Sequence, residues 1–353
     1  MRLRRMNNNN FLLYTRCMTY NHSSYIVDAM NGFCMQKTTF PFVNVIVDDA
    51  STDGEPEVIE KYLQEHFNIE DSAIVRREET EDYRLVFAQH KTNKNCYFVV
   101  LYLKYNHYLK KDKQPYYAKW INSSKYVAIC EGDDYWTDPY KLQKQVDFLE
   151  THPEYSMCVH AAQWMIGENN EKDINGCNHL DERDLTVDEI ILHGGLYVAT
   201  ASTLYRTNAI PKGEERPIWW RMADVGDYPL HIYAAMHGKV HFYPEAMCVY
   251  RYQHPGSWTF NQGRNKDIKH AKCETEWMEI LNTETNNKYL DSVYRHLYGF
   301  HNLLFCEKEI SILEYYRKVC RTGVLSRSKF LKQAIKRIFS HSYKVYCRLI
   351  YGK

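Results

Sequence analysis

The chain has 353 residues, with 45 Lys and Arg against 44 Asp and Glu and 44% apolar side chains, which fits a globular protein of one large domain with an appendage or of two domains. A mean hydropathy of −0.58 and the lack of any apolar run near the roughly 20 residues that cross a bilayer exclude a membrane-spanning helix. Residues 315–353 hold eleven Lys and Arg and no acid, leaving 34 basic against 44 acidic groups before them. Such an acidic body excludes a general nucleic-acid binder, whose affinity comes from clustered cations on phosphates. The eleven cysteines contain no CxxC pair and are odd in number, so neither a disulfide framework nor a cysteine zinc site is expected and a reducing cytoplasm fits best. The opening MRLRRMNNNN is basic but leads into asparagines instead of an apolar segment; residues 1–10 read as a disordered tail, not as an export signal.

Phe11 to Met18 reads as a buried strand, Thr19 to Ser24 as a turn, and the next segment as a helix with Ile26, Met30, Phe33 and Cys34 on one face. Val43 to Val47 is a second strand ending in Asp48-Asp49; Ser51-Thr52-Asp53-Gly54 supplies turn chemistry, and Pro56 opens a helix carrying Val58, Ile59, Tyr62 and Leu63. Residues 78–125 are polar and, outside the apolar run 97–103, are expected to form a long variable loop or insertion. Tyr126 to Cys130 is a third strand, ending in Glu131-Gly132-Asp133-Asp134-Tyr135-Trp136, with Asp138-Pro139 as cap and first turn of a helix that turns Leu142, Val146 and Leu149 inward. Met157 to His160 and Val198 to Tyr205 read as strands, Gly226-Asp227-Tyr228-Pro229 opens a short helix, and Val240 to Tyr250 returns as a strand pair or one bent strand. From about residue 266 the pattern is helical.

This alternation predicts an α/β fold over residues 11–262, with a mainly parallel sheet and helices on both faces. A helical extension over 263–321 and a basic amphipathic tail over 322–353 follow. Parallel sheets place ligands beyond the carboxyl ends of their strands, where Asp48, Asp49, Asp133 and Asp134 stand. Asp133 and Asp134 on one Gly-containing turn call for a counter-charge, and a divalent cation supplies one while gathering diphosphate oxygens; the alternative is a pair of ordinary surface turn residues.

Three strings in order, Cys17-Met18-Thr19-Tyr20-Asn21, Val47-Asp48-Asp49-Ala50-Ser51-Thr52-Asp53-Gly54 and Glu131-Gly132-Asp133-Asp134-Tyr135-Trp136-Thr137-Asp138-Pro139, resemble the family 2 glycosyltransferases of GT-A fold over about residues 11–260. The resemblance implies inverting transfer of a sugar from a nucleoside-diphosphate sugar, UDP-sugar favoured, with Mn²⁺ or Mg²⁺ at the Gly-Asp-Asp segment. By position it implies Asp134 as metal ligand, Asp133 beside it on ribose or metal, Asp48 and Asp49 with Asn21 on the nucleotide, and Tyr20 packing on the base. Asp227 resembles the general base, Arg251 a phosphate contact and His254 a metal ligand, although His254 falls three residues after Arg251 where two are expected. Trp219 and Trp220 are candidates for an acceptor platform.

Five of these residues have a structural alternative: an Asx-turn for Asp48, a core aromatic for Tyr20, a helix N-cap for Asp227 and a packed loop anchor for Trp219 and Trp220. The acceptor is expected to be a glycan or lipid-linked glycan of cell-surface polysaccharide assembly. The tail offers Leu331, Ala334, Ile335, Ile338 and Phe339 on one face with Lys329, Lys332, Lys336 and Arg337 around it, the pattern of a helix lying on an anionic membrane; its alternative is a helix docked on the protein. The expected location is the cytoplasm, peripheral on the inner face of the cytoplasmic membrane. The rival readings are a nucleotide polymerase built on the Gly-Asp-Asp turn, which the acidic body disfavours, and a non-catalytic sugar- or lipid-binding protein.

Overall fold

A computed structural model of the protein describes residues 11–71, 75–107, 114–121, 123–166, 171–173, 181–257, 260, 263–320 and 322–338. In chain order the elements are β1 (Leu13–Thr19), α1 (Ile26–Cys34), β2 (Phe42–Asp48), α2 (Glu55–His66), β3 (Arg76–Glu79), β4 (Tyr83–Gln89), β5 (Cys96–Leu103), α3 (Gln114–Ile121), β6 (Tyr126–Ile129), β7 (Tyr135–Trp136) and α4 (Lys141–Thr151). They continue with β8 (Tyr155–Ile166), β9 (Glu171–Asp173), β10 (Arg183–Leu185), α5 (Val187–His193), β11 (Leu204–Arg206), α6 (Ile218–Met222), α7 (Asp227–Met236), β12 (Lys239–Tyr252), α8 (Arg264–Glu284), α9 (Leu290–Cys306), α10 (Ile312–Val319) and α11 (Arg327–Ile338).

The strands form one sheet in the order β10-β12-β8-β11-β6-β1-β2-β5-β4-β3, with β7 on β12 and β9 on β8. Its centre, β6-β1-β2-β5, is parallel, as is the β8-β12 pair. Leu13, Cys17, Phe42, Ile46, Phe98, Val100 and Ala128 share one core with Ile26, Met30 and Phe33 of α1, Ile59 and Leu63 of α2, and Leu142, Val146 and Leu149 of α4. The intervening residues Tyr14, Val43, Val45, Val99, Leu101 and Val127 are buried too, so the central strands are covered on both faces and read as continuous apolar runs. This is the expected α/β architecture, with helices following at the carboxyl terminus.

Local departures from expectation have local causes. Residues 78–125 are not a long loop: β4 extends the sheet antiparallel to β5, β3 pairs antiparallel with β4, and α3 follows. The edge strand β3, Arg76-Arg77-Glu78-Glu79, is charged throughout, which suits a sheet edge and hides the strand in a composition scan. Val198 to Tyr205 is not one strand: a 3₁₀ turn, Thr200–Ser202, precedes the three-residue β11. There Ser202 Oγ donates to the Ala199 carbonyl and Thr203 Oγ1 to that of Thr200, bonds that compete with a ladder. Asp138 does not cap α4; its Oδ1 accepts from Tyr140 N at 2.7 Å in the turn before it.

The chain divides into two compact units. The first takes in the described residues of Met1–Ile190, Gly195–Glu215 and Leu230–Asn261; the second, Ile191–Gly194, Arg216–Pro229 and those of Gln262–Lys353. Within the second, Trp277 of α8 stacks on Trp219 at 6.0 Å and meets Tyr228 edge-on at 5.6 Å. Phe305, Tyr315, Val319, Leu325, Phe330 and Ala334 form a further cluster. The tail face expected from the sequence is therefore split: Ala334 turns inward with Phe330, while Leu331 and Ile335 are 57% and 55% exposed. Arg337 donates to the Ile310 carbonyl and lies over the Phe305 ring, so α11 is docked on α9 and the segment before α10. Phe339, and the side chains of Lys336 and Ile338, lie outside the described residues.

Candidate active site

Adjacent parallel strands β6, β1 and β2 end at one level of the first unit. Thr19 pairs with Asp48 across β1 and β2, Asp49 N donates to the Thr19 carbonyl at 3.0 Å, and Gly132 N donates to the Met18 carbonyl at 3.0 Å. The turns after β1 and β2 are tied together by Glu55, a buried carboxylate at the start of α2. One Glu55 oxygen accepts from Thr19 Oγ1; the other accepts from His22 N at 2.9 Å and Ser51 Oγ at 2.8 Å. Ser51 Oγ in turn accepts from Asn21 N at 2.9 Å, and Asn21 Oδ1 accepts from Thr52 N at 2.8 Å. Asn21 itself takes φ 57°, a left-handed turn its short amide side chain tolerates.

Asp48 Oδ1 accepts from Ser51 N at 3.0 Å, an Asx-type turn, and burial pushes its carboxyl up to about 6 against the pull of the Ser51 bonds. Asp49 is directed elsewhere: its Oδ1 accepts from His107 N at 2.9 Å and lies 3.3 Å from His107 Nδ1, so it fastens the segment after β5. Tyr20 is 43% exposed, which removes the core-aromatic alternative and leaves its ring open.

The Asp133–Asp134 turn is held from β12. Arg251 N donates to Asp134 Oδ1 at 2.9 Å, and Arg251 NH1 donates to the Asp133 carbonyl at 2.6 Å. The same guanidinium pairs with Asp28 of α1 and lies between the rings of Tyr25 and Tyr135, at 5.0 and 4.6 Å from their centroids. Arg251 thus braces the turn. His254 Nε2 stands 3.0 Å from Asp133 Oδ2, and His22 Nε2 3.7 Å from the same oxygen. Gln253 between Arg251 and His254 takes a left-handed φ of 56°, and with the longer spacing His254 still meets Asp133.

Burial, then the charge of Asp133, pushes the Asp134 carboxyl well above the usual range. Burial would raise Asp133 as well, but the His254 hydrogen bond and the neighbouring His22 and His254 imidazoles bring it below its ordinary value. Gly132 has no room for a side chain: a Cβ there would stand 2.2 Å from Thr19 Oγ1 and 2.6 Å from Thr19 Cβ.

Of the residues that the sequence points to for the nucleotide and metal, Asn21, Asp48, Asp133, Asp134, Arg251 and His254 lie in this frame, Tyr20 is exposed beside Asn21, and Asp49 is turned to His107. Sequence reasoning passed over His22, Glu55 and Asp28. A Glu directly after Gly54 and before Pro56, four residues beyond Ser51, was the available signal for Glu55. Asp227, Trp219 and Trp220 belong to the second unit. Asp227 is the first residue of α7, half-buried, with Oδ1 accepting from Tyr228 N at 2.8 Å. Trp219 and Trp220 are buried, Trp219 between Trp220 and Trp277, and Arg216 covers the Trp220 ring at 5.3 Å. An acceptor platform needs an open face, so the anchor alternative describes these two tryptophans.

Residues 18–84 match the family model described as Glycosyl transferase family 2. The matched segment contains the frame of Thr19, Asn21, His22, Asp48, Ser51 and Glu55, while the Asp133–Asp134 turn and β12 lie downstream of it. Among known proteins the chain is similar to the uncharacterized proteins Rv1520 of Mycobacterium tuberculosis and Mb1547 of Mycobacterium bovis, each 32% identical over 243 residues, 68% of this chain. The chain spans 59% of the length of those relatives. Among solved structures it is similar to S. aureus TarS, with TM-score 0.48 and 18% identity over 83% of this chain and 43% of that one. It is also similar to the mannosyltransferase PcManGT from Pyrobaculum calidifontis in complex with GDP-Man and Mn²⁺, with TM-score 0.46 and 12% identity over 95% and 89% of the two chains.

Proposed function

We propose that the protein is a metal-dependent, inverting glycosyltransferase that moves a sugar from a nucleoside-diphosphate sugar to an acceptor hydroxyl. The observation that carries this reading is the convergence of Asp48 and the Asp133–Asp134 turn at the carboxyl ends of three adjacent parallel strands, in a chain whose 18–84 segment matches family 2. Asp48 accepts the N–H of the base, which favours a pyrimidine imide and hence a UDP-sugar, and the open Tyr20 ring stacks on the base. Asp49 has its own partner in His107 and acts by holding the wall of the site.

Asp133 and His254 supply donors that suit a divalent cation, Mn²⁺ or Mg²⁺: a carboxylate oxygen of Asp133 stands 3.0 Å from His254 Nε2. The Asp134 carboxyl is next in sequence but does not converge with both of them to within 4.8 Å, so it would turn toward the ion to join them, and the ion would relieve the burial that disfavours its charge. Asp133, Asp134 and His254 would hold the ion, whose charge offsets the charge that develops on the departing diphosphate. Arg251 keeps both acids of the turn in place, and Glu55 keeps the Tyr20–Asn21 and Ser51–Thr52 segments in register. Inversion requires in-line attack by a hydroxyl that must lose its proton, and Asp227 takes it; its first-turn position and the Tyr228 N bond fix the carboxylate's direction. The acceptor is a glycan or lipid-linked glycan of cell-surface polysaccharide assembly, reached from the cytoplasmic face of the membrane.

Incubation with Mn²⁺ or Mg²⁺, a panel of nucleotide sugars and a lipid extract, recording which nucleoside diphosphate is released, tests the reading. Asp134→Ala should abolish release. Asp227→Asn should still bind donor with metal while kcat falls by about 10² or more. Normal turnover by Asp134→Ala would overturn the proposal, and an unchanged kcat in Asp227→Asn would reduce that residue to a helix terminus.

A further inference from the structure

The second unit contains a cluster that the glycosyl-transfer reading does not use. His270 and Glu274 stand four residues apart on α8 and so share a face, and Asp224, from the segment between α6 and α7, meets them there. One donor atom from each of the three lies within 4.8 Å of the others; among the described residues this is the group of three His, Cys, Asp or Glu side chains that meets that criterion. His270 Nδ1 and Asp224 Oδ2 are 2.8 Å apart, whereas Asp224 Oδ1 is buried without a hydrogen-bond partner.

Glu274 is buried and oriented from behind: Trp277 Nε1 donates to its Oε2 at 2.8 Å and His296 Nε2 lies 2.9 Å from its Oε1. His296 is itself confined, since a Cβ on Gly194 would come within 2.8 Å of its Cε1. A ligating carboxylate held by a tryptophan and a histidine behind it is the outer-shell support that metal ligands receive.

We propose that Asp224, His270 and Glu274 form a second cation site that takes Zn²⁺. One imidazole nitrogen and two carboxylates make a borderline donor set, which suits zinc better than the all-oxygen preference of Mg²⁺. Ligands about 2 Å from a tetrahedral ion stand about 3.3 Å apart, so the 2.8 Å His270–Asp224 contact opens by about half an ångström to admit it, and water takes the fourth position. Cys273 is not a ligand: its Sγ lies 3.2 Å from the Met222 carbonyl and donates to it. The ion staples the Asp224 segment to α8, three residues before Asp227, while Tyr228 is anchored by its hydroxyl on the Ile191 carbonyl at 2.7 Å.

The test uses the full chain carrying Asp133→Asn and Asp134→Asn, which removes the first candidate metal site and makes the outcome independent of whether the protein transfers sugars. After exposure to Zn²⁺ and desalting, this protein should retain about one zinc per chain by elemental analysis, and zinc should raise its melting temperature. Adding His270→Ala should abolish retention. Adding Asp224→Asn, an isosteric change at a side chain that is 31% exposed and so compatible with folding, should weaken zinc binding at least about tenfold. If the parent variant retains no zinc, or if Asp224→Asn binds it undiminished, the cluster is a set of ion pairs and the proposal fails.

Discussion

The proposed role of Asp48 sets two demands in conflict. Burial favours its neutral form up to about pH 6, whereas accepting a base N–H would require the carboxylate. The KM for the nucleotide donor should therefore rise as pH falls from 7 to 5, and Asp48→Asn should show a high KM with that dependence removed; a flat wild-type profile would detach Asp48 from the base. A raised carboxyl stabilises the folded chain only at low pH: the contribution is complete below about 4 and is lost as pH rises through about 6.

Lys141 has the opposite sign. Burial lowers its ammonium to about 8, despite a 2.8 Å bond to Gln145 Oε1 and a Trp136 ring 4.4 Å away. Its contribution is present above about 10.5 and lost as pH falls through about 8, a span worth about 3 kcal/mol. Lys141→Met keeps the apolar stem and should raise the melting temperature at pH 7 while shrinking the gain seen on going to pH 10. A lower melting temperature at pH 7 would show that the Gln145 bond outweighs the desolvation.

Elements were legible where pattern and punctuation agree. β1, β2 and β6 are apolar runs closed by turn residues, and α1, α2 and α4 carry their inward residues at helical spacing. β3 and β4 were not, because an edge strand is selected for charge and its neighbour mixes Arg84 and Gln89 with Leu85 and Phe87. The acids of the site were legible because they end strands; Glu55 was not, because a buried Glu at a helix start looks like any first-turn acid until its three donors are seen. The same crowding gives a prediction about the turn after β6. Gly132→Ala puts a methyl group 2.2 Å from Thr19 Oγ1, so either the turn moves or Thr19 leaves Glu55. Donor binding by calorimetry should be lost with a melting temperature lowered by several degrees, whereas Gly226→Ala, which meets no atom within 4 Å, should bind donor normally. Equal binding by both variants would mean the turn has slack.

For the whole molecule, composition gave an acidic body and a basic end, but not the way Phe330 and Ala334 are consumed by packing. No helix among the described residues is long and apolar enough to cross a membrane. The peripheral membrane contact proposed from the sequence would rest on Leu331 and Ile335, with Arg327, Lys329 and Lys332 exposed on the same helix; three cations near an anionic surface would contribute about 3 kcal/mol. Cutting the chain after residue 321 would bare Tyr315 and Phe305, so the informative change is Leu331→Glu with Ile335→Glu in the full chain. The unaltered protein should float with anionic liposomes at low salt and the double variant should stay in solution. Equal flotation would remove α11 as the anchor.

The three donors gathered by Glu55 also set the unit in which the proposed nucleotide recognition could be re-engineered. Thr19 and His22 reach it from one loop and Ser51 from another, and none of the three is satisfied by a transplant that brings only the Ser51–Gly54 turn. The smallest interchangeable cassette runs from Thr19 through Glu55, so chimeras cut inside that interval should misfold locally while chimeras cut outside it exchange donor recognition as one inherited part.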